Sequence, residues 1–149
     1  MFTSKTLTAL SVALLALLTS TFGYAAEGTL YQRLGGKTAI TAVVDDFVAR
    51  VAADSRINSF FAATAADPKR LAAFKGKLVD QICEASGGPC KYQGKDMKSA
   101  HAGMGIQDAQ FNALVEDLVG ALDHFKVAPA DKSALLGVLG PMKSDIVAH

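Results

Sequence analysis

Residues 111–122 read Phe-Asn-Ala-Leu-Val-Glu-Asp-Leu-Val-Gly-Ala-Leu. Phe111, Leu114, Val115, Leu118, Val119 and Leu122 recur at spacings of three and four, the period of a helix with one apolar face; Glu116 and Asp117 fall off that stripe. The same period holds on both sides. Upstream, Ile40, Val43, Val44, Phe47, Val48 and Val51 form an apolar stripe, with Asp45, Asp46 and Arg50 on the polar side. Leu71, Phe74, Leu78 and Ile82 belong to a helix that Pro68 opens and Gly87-Gly88-Pro89 stops. Downstream, Pro129 stands in the first turn of a last helix carrying Leu135, Leu136, Leu139, Met142 and Ile146. Shorter helical pieces are expected around Tyr31 and Leu34 (before the break at Gly35-Gly36), at 57–61 (ending in Phe60-Phe61), and at 96–102, closed by Gly103 and Gly105. No alternating run bounded by turn residues appears, so the expected fold is all-α, in one domain.

The chain has 149 residues, half of them apolar, with 15 Lys+Arg against 14 Asp+Glu and no Trp. Its mean hydropathy of +0.26 excludes disorder, and a net charge of +1 gives no footprint for nucleic acid or an anionic membrane. Part of the apolar excess lies at the N-terminus. Lys5 is the only charged side chain before Glu27, and ten of the twelve residues from Leu7 to Leu18 are apolar. Gly23 and Ala25 then supply small residues at the −3 and −1 positions of a cleavage site. The expected organisation is a signal peptide over 1–25, with Ala26 as the alternative cleavage point, and a domain over 26–149. The product is expected to be exported, periplasmic or secreted. The apolar run is short of the roughly 20 residues a bilayer span needs, and no Cys follows it for lipidation, so no membrane anchor is expected after cleavage.

Cys83 and Cys90 are the only cysteines, with Gly87-Gly88-Pro89 between them able to turn the chain back. In an oxidising compartment a disulfide is the first reading and free buried thiols the alternative. Their spacing matches no zinc motif. Nor is there a phosphate-binding Gly-rich loop, a Gly-x-Ser-x-Gly elbow or a paired-histidine metal motif. Of His101, His124 and His149, His101 stands out in Met97-Lys98-Ser99-Ala100-His101-Ala102-Gly103-Met104-Gly105-Ile106, between two strongly apolar helices. Such a histidine either ligates a metal inside an apolar cavity or is a satisfied core or surface residue.

The order of the pieces bears on that choice. Leu30-Tyr31-Gln32-Arg33-Leu34-Gly35-Gly36, Val43-Val44-Asp45-Asp46-Phe47, Phe60-Phe61, Gly87-Gly88-Pro89, Tyr92-Gln93-Gly94-Lys95-Asp96-Met97 and the His101 decapeptide follow one another over Leu30 to Ile146. In that order and spacing the chain resembles a group I truncated haemoglobin. The resemblance implies a truncated globin fold, a two-over-two helical sandwich enclosing non-covalent haem b and its iron. His101 matches the proximal iron ligand. Phe61 matches the aromatic stacked on the haem, and Phe74, Leu78, Met97, Ala100, Met104, Ile106, Phe111 and Val115 fall along the pocket. Without Cys-x-x-Cys-His, c-type attachment is excluded.

The distal side departs from that family. Where it commonly places a Tyr after the Phe of the second helix, and a Gln on the helix facing the haem, this chain has Val48 after Phe47, and Leu78. Neither donates a hydrogen bond. A lost charge-assisted bond is worth roughly 1.5–3 kcal/mol, so fast oxygen release is expected. Phe47, Val48, Leu78, Gln81 and Ile82 then form an apolar distal pocket, with Gln81 either reaching inward as an amide donor or facing solvent at the helix end. Lys77 is read as a rim residue for a propionate; as an internal sixth ligand it would need a neutral amine. Tyr92, Lys95 and Lys98 fall near the haem edge, Lys75 reads as a surface charge, and His124 suits a helix C-terminus. A Cys83–Cys90 bond would tie the distal helix to the turn after it.

The partners implied are diatomic gases (oxygen, nitric oxide, carbon monoxide) and a reductase or electron donor. Nitric oxide dioxygenation, peroxidase-like activity and electron transfer stay open as activities, with a haem-free helical interaction module as the rival class. Export is checked by N-terminal sequencing of the protein recovered outside the cytoplasm. The expected first residue is Ala26; full-length chain held in the membrane pellet would refute it.

Overall fold

The computed structural model describes residues 27–147; the signal sequence expected over 1–25 lies outside them, as does His149. All the described secondary structure is helical. Helix α1, Leu30–Arg33, starts on Thr29, whose hydroxyl accepts from the Gln32 N–H while the Gln32 side chain accepts from the Thr29 N–H. Gly35, at φ +93°, reverses the chain into α2, Gly36–Ala53. A 3₁₀ turn, Asn58–Phe61, runs into α3, Ala62–Ala65. Asp67 caps α4, Pro68–Ala85, by accepting from the Lys69 and Arg70 N–H groups, with Pro68 in the first turn, where its missing donor costs nothing. There follow α5, Met97–His101; α6, Asp108–His124; and α7, Pro129–Leu139. A 3₁₀ turn, Gly140–Met142, leads into α8, Lys143–Ile146.

Helix α2 packs on both α4 and α6, and α7 closes the far side against α1 and α4. The two-over-two sandwich sets α2 and α4 against α6 and α7. Its core takes Ile40, Val43, Val44, Phe47, Val48 and Val51 from α2, the stripe seen in the sequence. Val79 and Ile82 come from α4, Leu118 and Leu122 from α6, and Leu135 from α7. Ile40, Val44, Leu122 and Leu135 are 1–2% exposed, each burial stabilising the fold by roughly 1.5–3 kcal/mol. No helix among the described residues is long and apolar enough to cross a membrane.

The end of α4 is tightly tied. The Ser86 hydroxyl donates to the Ile82 carbonyl at 2.6 Å, the Gly88 N–H donates to the Cys83 carbonyl at 2.7 Å, and the Tyr31 N–H donates to the Ser86 carbonyl at 2.8 Å. These bonds fold 86–90 back on the helix and bring Cys90 to the fully buried Cys83, with Cα atoms 5.7 Å apart. Gly88 is needed because of crowding. A Cβ there would stand 2.5 Å from the Tyr31 ring, 2.7 Å from Cys83 Sγ and 2.8 Å from the Cys83 carbonyl oxygen.

Across the surface, Arg33 meets Asp131 at 2.7 Å, joining α1 to α7, and Asp46 on α2 takes both Arg50 at 2.6 Å and His124 of α6 at 2.9 Å. Arg56 bridges Asp54 and Glu116, joining the end of α2 to α6. Beside that bridge the Asp117 carboxyl is pushed above the usual carboxylate range, first by burial and then by the negative Asp54; Arg56 and Arg50 oppose the shift. Its Oδ2 is buried without a hydrogen-bond partner.

Two outcomes follow. Gly88→Ala should destabilise the fold by about 1–3 kcal/mol, the usual cost of forcing atoms into a filled site, read by urea unfolding. Asp117→Asn should stabilise it at neutral pH. A carboxyl whose folded pKa is raised favours the fold while protonated and loses that contribution as pH rises through the folded value. The advantage of the Asn variant should therefore shrink as pH falls toward the ordinary Asp value near 3.8. Equal stability of variant and parent at pH 7 would refute the account.

Candidate functional site

Helix α5 is a single turn built to hold one side chain. The Asp96 carboxylate accepts from the Ser99 N–H at 2.9 Å and starts the helix. It ends after His101 because Ala102 turns extended (ψ 128°) and Gly103 follows at φ +77°. Within the turn, His101 Nδ1 lies 2.7 Å from the Met97 carbonyl oxygen. A carbonyl only accepts, so Nδ1 carries a proton, and in the neutral ring the lone pair is then on Nε2. A histidine fixed in this way is prepared to ligate a metal.

Nothing nearby completes an ordinary metal site: no group of three or more His, Cys, Asp or Glu is placed to hold an ion among the described residues. The residues that the resemblance assigns to the pocket are apolar. Phe61, Phe74 and Leu78 come from the α4 side, Met97, Met104 and Ile106 from α5 and the loop after it, and Phe111 and Val115 from α6. All eight are only partly buried, whereas the stripe of α2 is packed shut. The Phe61 and Phe74 rings are 5.7 Å apart, tilted by 50°. One imidazole nitrogen with no group of metal-ligating side chains beside it among the described residues suits a metal that brings its other ligands with it, in an apolar plane. Iron in haem is that kind of group.

On the opposite wall Val48 is buried, 9% exposed, and Leu78 is half-buried. Phe47 and Ile82 belong to the core, at 7% and 6% exposure. The half-buried Gln81 turns inward, its Nε2 directed at Met97 Sδ, 3.5 Å away, and at Met142 Sδ, 3.3 Å away. Lys77 is exposed and makes no ion pair within the described residues, whereas Lys75 meets Asp45 of α2 at 2.9 Å. Tyr92 donates its hydroxyl to the Lys95 carbonyl at 2.7 Å, and burial raises its pKa. Its N–H donates to Glu84, which with the Lys91 ion pair holds that carboxyl below the ordinary range. Lys95 and Lys98 are exposed.

Two features were not read from the sequence. Met142, taken as one more apolar residue of the last helix, faces Gln81. A cavity of about 260 Å³ also lies between α2, α3 and α4, reaching Val48, Phe61 and Phe74. Ala49, Ala52 and Ala65, small and exposed side chains along its lining, are the one signal of it in the sequence.

A family model described as bacterial-like globin matches residues 29–148. The chain is 36% identical over 125 residues to the group 1 truncated haemoglobin GlbN of Mycolicibacterium paratuberculosis, covering 84% of this chain and 88% of that one. Among solved structures, the Fe(III) form of the truncated haemoglobin of Tetrahymena pyriformis superposes with a TM-score of 0.74 at 30% identity, covering 82% of this chain and all of that one. The 2/2 haemoglobin of Synechococcus sp., in its cyanomet state with covalently attached haem, gives 0.73 at 30% identity, covering 80% of this chain and 98% of that one.

Proposed function

The chain belongs to the bacterial-like globin family, with the group 1 truncated haemoglobins, and on that premise we propose that it holds haem b through His101 and binds diatomic gases. The observation that carries this reading is the His101 ring itself, with Nδ1 bound to the Met97 carbonyl and no group of metal-ligating side chains beside it among the described residues. Haem supplies an iron with one coordination position for the histidine and one for a small gas. The rest is done by the chain. Its backbone carbonyl at 97 fixes the imidazole tautomer and orientation, and withdraws Nδ1 from competition for the metal. Phe61 and Phe74 stack and shield, and Met104, Ile106, Phe111 and Val115 exclude water from the floor.

On the gas side the nearest walls, Val48 and Leu78, carry no donor. The pocket therefore favours ligands that need none, nitric oxide and carbon monoxide, over oxygen, whose bound form draws negative charge. Gln81, one turn past Lys77 and directed at two weak sulfur acceptors, is the donor with least to lose by turning to another acceptor. Lys77 stays at the rim with its ammonium in water. We further propose that the protein works outside the cytoplasm, on the strength of Lys5, the apolar run from Leu7 and the small residues before Ala26, and that Cys83 and Cys90 form a disulfide there.

Absorption spectra of the haem-reconstituted protein test the reading. Wild type should show a Soret band that survives gel filtration. His101→Ala should lose it, and a variant that kept normal uptake would remove His101 from its role. Lys77→Ala should leave the ferric spectrum unchanged; a low-spin spectrum lost in that variant would place the amine on the iron instead. Val48→Tyr should slow oxygen release about tenfold to a hundredfold, the worth of one charge-assisted hydrogen bond, as read by stopped-flow displacement.

A further inference from the structure

The buried Asp117 oxygen without a partner stands beside the corner that leads from α2 to Phe61. We propose that Asp54 and Asp117 form a proton-operated joint: one proton held between their carboxyls fastens α6 to this corner, and its loss loosens the corner. The effect on haem rests on the proposed place of Phe61 against the haem face; the joint itself does not.

The geometry assigns the proton. Asp54 ends α2, and its side chain is 11% exposed. Both of its carboxylate oxygens accept from the Arg56 guanidinium, at 2.8–3.0 Å, and one also accepts from the Arg56 N–H at 2.9 Å. Donors on both oxygens favour the ionised form, and Asp54 is held below the ordinary carboxylate range by them. Asp117 Oδ2, by contrast, meets no donor. Asp117 lies within hydrogen-bonding reach of Asp54, yet two carboxylates have no hydrogen to place between them. A proton on Asp117 turns that repulsion into a bond donated to Asp54, of the strong charge-assisted kind. The cations at hand are engaged. Arg56 also reaches Glu116, at 2.7 Å, and Arg50 is bound at 2.6 Å to Asp46, which takes His124 as well.

The backbone of the corner passes the state on. The Asp54 carbonyl accepts from the Ile57 and Asn58 N–H groups at 3.1 and 2.8 Å, and the Phe60 N–H donates to the Ile57 carbonyl at 3.1 Å. Ile57 is 2% exposed, so the corner is anchored in the core. Phe61 follows at once, its ring 5.7 Å from that of Phe74. The sign follows from the raised Asp117 carboxyl. The joint is closed while Asp117 is protonated and opens as pH rises through its folded value. Phe61 is therefore held more firmly on the acid side.

The test is an NMR titration of the haem-loaded protein in its carbon monoxide form. It follows the Ile57 methyl groups and the Phe61 ring from neutral pH down to the ordinary Asp value of 3.8. The expected result is one step shared by both signals, with a single-proton profile and a midpoint above that value. Asp117→Asn, whose amide donates to Asp54 at every pH, should abolish the step and hold both signals at their low-pH positions. Asp54→Asn, which removes the negative neighbour, should lower the midpoint. Haem loss to excess apomyoglobin should be faster in the parent than in Asp117→Asn at neutral pH, by roughly twofold or more, as a shift of a few tenths of a pKa unit implies. The two rates should converge at the acid end. A step that persists in Asp117→Asn would overturn the proposal, as would the absence of any step at Ile57 and Phe61. The Soret band of the same sample reports separately on His101, so a chain that took up no haem yet still showed the step would support the joint while refuting the haem reading.

Discussion

Helices α4 and α6 each have more apolar surface than their neighbours cover, and this constraint organises the rest of the molecule. Helix α2 packs against both and uses up its own stripe in doing so. Phe74 and Leu78 on α4, and Phe111 and Val115 on α6, are left half-covered. Among the described residues there is no further long helix to cover them. The helix between them in sequence is α5, one turn long, too short to cover those faces and built around one histidine. A haem plane there would serve as part of the core, removing from water the apolar faces that the polypeptide leaves open.

The same shortage explains why so much bonding is concentrated around short segments. A five-residue helix has almost no intrinsic stability, since nucleating a turn costs more than its few hydrogen bonds return. α5 is held instead by the Asp96 cap at one end, by the His101–Met97 bond inside it, and by packing against α8. Upstream, the Tyr92 backbone is fastened to Glu84 and the 86–90 turn is folded onto Cys83, so the segment entering α5 departs from a fixed point. A disulfide between Cys83 and Cys90 would act on this departure point, fixing the path from the distal helix to the proximal histidine. The crowding at Gly88 belongs to the same device, because only a residue without a side chain lets the turn lie against Tyr31 and Cys83.

How much of this was legible in the sequence depends on how local the signal was. The stripes of α2 and α6 and the proline that opens α4 are local, and they gave the helices, the all-α class and the core of α2 with little ambiguity. His101 became prominent through its place in an ordered set of motifs; the ring alone had two readings. The interactions that were not legible are those made by residues distant in sequence. Nothing near Asp117 announces that Asp54, sixty-three positions earlier, will face it and leave it buried. Gln81 meeting Met142 and Arg56 reaching Glu116 are of the same kind. The cavity was invisible for a further reason: periodicity marks where large apolar residues are, and a void is made by small ones.

The distal wall shows how a pocket can select by what it omits. A tyrosine or a glutamine there would stabilise charge building on an oxygen ligand, and in an apolar enclosure such a bond is stronger than in water. On the proposed reading Val48 and Leu78 forgo that stabilisation, so discrimination among gases would fall to size, polarity and the histidine behind. Omitting a donor also removes the need to satisfy it when no ligand is present, since a buried tyrosine hydroxyl without a partner would itself cost about 1–3 kcal/mol. Gln81 avoids that cost by resting its amide against two thioethers, acceptors weak enough to give up. A pocket built this way would hold oxygen loosely and keep one donor in reserve, so that the rotation of a single side chain would decide whether the ligand meets a polar group at all.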